Sequence, residues 1–157
     1  MGSRKILAKY GNRGTAVTGA AEERGWWLRQ VVLPATEPAA GLARQTTREA
    51  VAAWRLAGLA DEAVLLVSEL VTNAIQHAGP DGSATVLRLE FDGDWLRIEV
   101  HDASPHVPQP RVPDRLDESG FGLMLVDELA AKWGVQHTAA GKAVWAELDT
   151  RPGGAAT

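Results

Sequence analysis

The chain has 157 residues, 45% hydrophobic and 23% charged, enough for one compact domain with its own core and too few for two ordinary ones. Its formal net charge of −4 leaves no basic footprint for nucleic acid, and the lack of cysteine excludes disulfide staples, zinc–thiolate sites and thiol nucleophiles. No run approaches the ~20 apolar residues a membrane helix needs, and Arg4 and Lys5 are not followed by the apolar core of a signal peptide, so the expectation is a cytoplasmic protein.

Residues 1–24 lack sustained periodicity and read as a flexible tail, residues 25–149 as the folded domain and residues 150–157 as a second loose end. The first predicted element is a strand over residues 26–33, rich in aromatic and branched side chains and stopped by Pro34. A helix is predicted from Pro38 to Arg55, with Thr36 or Glu37 near its start and Gly58 past its end. A second helix runs from an Asp61 cap to Ala78, with apolar residues at Val64, Val67, Val71, Ala74, Ile75 and Ala78, before Gly79 and Pro80 stop it. Two alternating runs, Thr85 to Phe91 and Trp95 to Val100, flank Asp92-Gly93-Asp94 and predict an antiparallel hairpin. Residues 103–117 hold four prolines and form a long loop, followed by a helix from Phe121 to Lys132. Strands at 133–138 and 142–148, with a turn at Gly141, complete the chain. Without βαβ alternation, this order predicts an α+β two-layer sandwich, a mostly antiparallel mixed sheet with its helices on one face.

Three features could carry chemistry. Glu69, Asn73 and His77 recur every four residues, so on a helix they form one polar row roughly opposite the apolar stripe. That row reads either as a solvated face or as a set of ligands, and His77 near the helix end also suits the helix dipole. Asp102 shares strand parity with Leu96, Ile98 and Val100 and therefore points into the core. There it needs a donor, such as the exocyclic amine of a purine, unless it caps the backbone of the loop that follows. In Ser119-Gly120-Phe121-Gly122-Leu123, two glycines enter a helix, an arrangement that suits phosphate at the helix N-terminus and equally an ordinary loop-to-helix junction. The spacing matches neither the Rossmann fingerprint nor a P-loop. Lys142 reads as a solvated strand residue in preference to a phosphate contact, and Trp95 has the outward parity of its strand.

Helix row, strand-end aspartate, long loop and glycine helix start follow one another in an order that resembles the Bergerat-fold (GHKL) ATPases. Glu69-Leu70-Val71-Thr72-Asn73-Ala74-Ile75-Gln76-His77 is similar to the N box, Asp102 to the aspartate of the first glycine box, and Gly120-Phe121-Gly122-Leu123 to the second. Among its branches the chain most resembles the single-domain anti-sigma-factor serine kinases. The resemblance implies ATP and Mg2+ as cofactors. It places Asn73 on the metal, Glu69 as general base, Asp102 on the adenine amine, and His77, Ser104, Gly120, Phe121, Gly122 and Leu123 around the nucleotide. The loop from Ala103 to Asp117 would fold over the triphosphate. Implied partners are a sigma factor and an anti-anti-sigma (STAS-type) protein bearing the acceptor serine, with a homodimer possible and neither nucleic acid nor membrane contacted. The first glycine box, usually Asp-x-Gly-x-Gly, reads Asp102-Ala103-Ser104-Pro105-His106 here, and loss of both glycines stiffens the loop entry. That departure keeps a second function open, a non-catalytic nucleotide-binding or partner-sequestering module.

Overall fold

The structure is a computed structural model that describes residues 26–34, 38–76, 84–103 and 121–152. His77, Ser104, Gly120 and nearly all of the proline-rich loop lie outside the described residues, as does the expected N-terminal tail. In chain order the elements are β1 (Trp27–Leu33), α1 (Pro38–Ala53), a 3-10 turn (Ala57–Leu59), α2 (Ala60–Gln76), β2 (Thr85–Phe91), β3 (Trp95–Asp102), α3 (Phe121–Leu129), β4 (Lys132–Thr138) and β5 (Gly141–Asp149).

The five strands form one sheet in the order β1-β2-β3-β5-β4, and every neighbouring pair is antiparallel rather than mixed. Alternation decides which side meets the helices. Leu87, Leu89 and Phe91 of β2, Leu96, Ile98 and Val100 of β3, and Val144, Ala146 and Leu148 of β5 line the side that meets the helices and make the core with Leu66, Val67, Leu70 and Val71 of α2. Helix α1 presents mostly small residues inward, Ala39, Ala43, Thr47 and Ala50, which lets it lie close against α2. The buried Thr47 hydroxyl is satisfied by donating to the Ala43 carbonyl at 2.8 Å. The helices lie on one face, the α+β sandwich that the order of elements predicts.

Several boundaries differ from the sequence reading for local reasons. Helix α1 ends at Ala53, not Arg55. The Leu56 N–H donates to the Val51 carbonyl at 2.7 Å and the Arg55 N–H to the Ala52 carbonyl at 3.2 Å, with Arg55 at a φ of 59°. That is a Schellman cap, with an arginine where glycine is the usual occupant. Gly58 falls in the 3-10 turn, which feeds straight into α2, so Asp61 sits in the first turn instead of capping it. Helix α3 stops at Leu129 because the Ala131 N–H already donates to the Glu147 carbonyl of β5 at 2.9 Å, starting β4 early. Replacing Arg55 by glycine removes the side-chain penalty of positive φ, and the expected result is a gain of about 1 kcal/mol in unfolding free energy, read from urea melts.

The β2–β3 hairpin turns as its sequence predicts. Asp92 Oδ1 accepts from the Asp94 N–H at 2.9 Å and the Trp95 N–H at 2.7 Å, while Gly93 takes a φ of 98°. On the outer side of the sheet Arg97 donates to Glu99 and to Glu147, both at 2.7 Å, and lies 4.3 Å over the Trp145 ring. Glu99 also bonds His101 Nε2 at 2.9 Å. Burial pushes the Glu99 carboxyl up, but the hydrogen bonds from His101 and Arg97 and their charges prevail and hold it at about 2, against an ordinary 4.5. A depressed carboxyl contributes its stability above the unfolded value and loses it as pH falls from 4.5 towards 2. In Glu99→Gln the fall of stability over that acid window should be shallower than in the wild type, as followed by urea melts at stepped pH. Trp95 faces outward as its parity predicts and is half-buried, with Lys132 Nζ and the Arg151 guanidinium 5.6 and 5.2 Å from the ring.

Candidate nucleotide site

The described candidate residues lie on elements that pack against one another. Helix α2 packs on β3 and β5 and against α3, so the helix with the polar row, the strand ending in Asp102 and the helix opening at Phe121 are direct neighbours. Glu69 and Asn73 are both half-buried. The expectation that their row lies opposite the apolar stripe needs correcting, because Leu66 and Leu70 are fully buried and shift the buried face towards it. Each polar residue stands three positions after one of these leucines, so the row runs along the margin of the core. A margin suits a ligand better than an outer face does, since the side chains are fixed by packing while their polar ends stay accessible.

Asp102 ends β3 and is buried on the helix side, as parity predicts. Its Oδ1 accepts from Lys142 Nζ at 2.9 Å, with the two side chains only 3% and 2% exposed. Lys142 is therefore not a solvated strand residue. It pairs with Asp102 across the β3–β5 ladder and shares parity with Val144, Ala146 and Leu148, an alternation already present in the sequence that turns it inward. A buried ion pair is costly to desolvate and persists where its geometry and hydrogen bonds are good. Thr85 extends the row. Val86 pairs with His101, so one residue further along the β2–β3 ladder Thr85 stands beside Asp102. Thr85 is buried, and its hydroxyl has no hydrogen-bond partner among the described residues. Sequence reasoning missed Thr85 and misread Lys142, although alternation assigns both to the inner side.

Gly141 closes this end of the sheet. Its φ is +154°, and a Cβ there would meet the Asp102 carbonyl oxygen and come within 2.7 Å of the Ala103 backbone. The turn itself lies at Ala139 and Ala140, and Gly141 is the first residue of β5. Phe121 and Gly122 open α3, and Leu123 is buried in the helix layer.

A metal ion would find a hard oxygen donor in the Asn73 amide, one helical turn from the Glu69 carboxylate. Among the described residues no group of three or more His, Cys, Asp or Glu could hold a metal by itself. A single amide oxygen suits an ion that takes most of its ligands from phosphate oxygens and water, as Mg2+ does.

The family model described as histidine kinase-like ATPase domain matches residues 33–148, most of the chain. The chain belongs to that family. Within the histidine kinase-like ATPases it is 37% identical over 89 residues to uncharacterized protein SCO4941 of Streptomyces coelicolor, covering 55% of this chain and 84% of that one. It is 35% identical over 75 residues to blue-light-activated histidine kinase 2 of Erythrobacter litoralis, covering 46% of this chain but 21% of the kinase. Among solved structures it resembles the RsbU and RsbW domains of Rv1364c from Mycobacterium tuberculosis, with a TM-score of 0.58 at 23% identity, over 76% of this chain and 31% of that one. That likeness establishes the shared fold, the two-layer Bergerat sandwich. Among the described residues no helix is long and apolar enough to cross a membrane.

Proposed function

We propose that the chain is an ATP-binding regulatory protein of the anti-sigma-factor kinase type, which transfers the γ-phosphoryl group of ATP to a serine or threonine hydroxyl of a protein partner. The observation that carries this reading is the packing of α2, which bears Glu69 and Asn73, against β3, which ends in Asp102, and against α3, which opens at Phe121. Membership of an ATPase-domain family supports the nucleotide, as does the order of N box, strand-end aspartate and glycine helix start, and the resemblance to the single-domain anti-sigma-factor serine kinases supports the kinase branch.

In this reading Asp102 accepts from the adenine amine, and the amide groups opening α3 face phosphate, where the N-terminal end of the helix dipole favours negative charge. ATP supplies the transferable phosphoryl group, and Mg2+ held by the Asn73 side-chain oxygen offsets the phosphate charge. Glu69 takes the proton of the attacking hydroxyl, a base one turn of helix from the metal ligand. The protein partners are an anti-anti-sigma (STAS-type) protein, which bears the acceptor, and a sigma factor. The site is a cytoplasmic one in this reading.

The decisive measurement is transfer of label from γ-32P-ATP to a candidate anti-anti-sigma protein. Glu69→Ala should lower transfer by at least ~100-fold, the usual worth of a general base, while binding ATP nearly as well as the wild type. Equal labelling by the mutant would remove Glu69 from that role. A second reading is favoured by one specific feature, the Ala103-Ser104-Pro105-His106 run where the glycine box carries its two glycines. In it the domain binds nucleotide or partner without transfer, and calorimetry showing ATP bound but no labelled partner would select it.

A further inference from the structure

We propose that Lys142 is a base-contacting residue of the nucleotide site, donating from its ammonium to the ring nitrogen N1 of adenine while Asp102 accepts from the neighbouring exocyclic amine. The assignment rests on the nucleotide reading given under Proposed function and adds a residue to it. An adenine edge presents a donor, the amine, directly beside an acceptor, N1. The complementary surface is an acceptor beside a donor. Asp102 and Lys142 are such a pair, with Oδ1 and Nζ 2.9 Å apart on adjacent strands and on the helix-facing side of the sheet.

Two features point to a ligand and not to a purely structural ion pair. An inward position on β5 otherwise occupied by Val144, Ala146 and Leu148 would hold an apolar side chain at less desolvation cost than a charged one. The adjoining Thr85 hydroxyl is buried without a hydrogen-bond partner among the described residues, so the polar row at this sheet end retains an unused donor and acceptor. Burial of the pair also excludes competing water, which makes each hydrogen bond to a base discriminating.

The test uses the full chain with Mg2+ and three ligands in calorimetry: ATP, 1-deaza-ATP, which carries C–H in place of N1, and purine riboside triphosphate, which lacks the amine. The wild type is expected to bind 1-deaza-ATP about 10- to 100-fold more weakly than ATP, the range for a lost hydrogen bond to a charged group. Lys142→Met should bind ATP and 1-deaza-ATP equally, and Lys142→Arg should keep the discrimination. Wild-type protein that binds ATP and 1-deaza-ATP alike would overturn the assignment, and this comparison decides the matter even where Lys142→Met does not fold. Sensitivity to the missing amine without sensitivity to N1 would leave Asp102 as the base contact and remove Lys142. No binding of ATP at all would overturn the nucleotide reading itself, and the lysine assignment with it.

Discussion

Removing the charge of one partner in the Asp102–Lys142 pair should cost about 3–5 kcal/mol of unfolding free energy, the usual consequence of breaking a buried ion pair. Asp102→Ala is the clearest form, since it deletes the carboxylate that accepts from Lys142 at a buried position. Urea melts read the loss as a lower midpoint at unchanged slope. The double variant Asp102→Leu with Lys142→Met should recover most of the stability, because two apolar side chains at adjacent inward positions carry no desolvation cost. A small loss in the single variant, below about 1 kcal/mol, would mean that the pair is solvated in practice and worth no more than a surface ion pair. The double variant would also lack the acceptor for an adenine amine. A stable fold that binds no ATP is therefore the expected outcome, and it would separate the pair's role in binding from its role in folding.

Gly141→Ala should be nearly as damaging, at about 2–4 kcal/mol, because backbone strain and overpacking add at one atom. The φ of +154° disfavours any side chain, and the added Cβ would press on the Asp102 carbonyl and the Ala103 backbone, neither of which can rotate away as a side chain would. Gly93→Ala makes the control. Gly93 also has a positive φ, +98°, but nothing lies within 4 Å of its would-be Cβ, so only the backbone term remains and the expected cost is about 1 kcal/mol. In Gly141→Ala the Asp102 end of β3 must shift, so ATP affinity should fall with stability, whereas Gly93→Ala at the opposite end of the same strand should leave affinity intact. Comparable losses from the two variants would show that the clash is relieved at little cost.

Most of the architecture was legible because the signals behind it are periodic. Alternation fixed the two hairpins and the inward direction of Asp102, and four-residue spacing placed Glu69 and Asn73 on one side of α2. Boundaries were less legible because they depend on contacts distant in sequence. The end of α3 is set by the hydrogen bond from Ala131 to Glu147, and the end of α1 by an arginine adopting a conformation that composition assigns to glycine. Lys142 was misread because a charged residue near a turn is usually solvated, a prior that outweighed the parity it shares with Val144. The tilt of the α2 polar row towards the core followed from Leu66 and Leu70, which the chosen apolar stripe left out although both are leucines in the sequence.

The strand order has one more consequence. β2 with β3, and β4 with β5, are local hairpins, whereas the seam between β3 and β5 joins segments far apart along the chain, with Asp102 and Lys142 separated by 40 residues. Closing so long a loop is entropically expensive and comes after local pairing. Neither hairpin can assemble the acceptor–donor pair by itself, so the pair exists only once the two halves of the domain have docked. Any ligand gripping both residues would act as a clasp on that seam, slowing its opening and raising amide protection along β3 and β5 ahead of the edge strand β1.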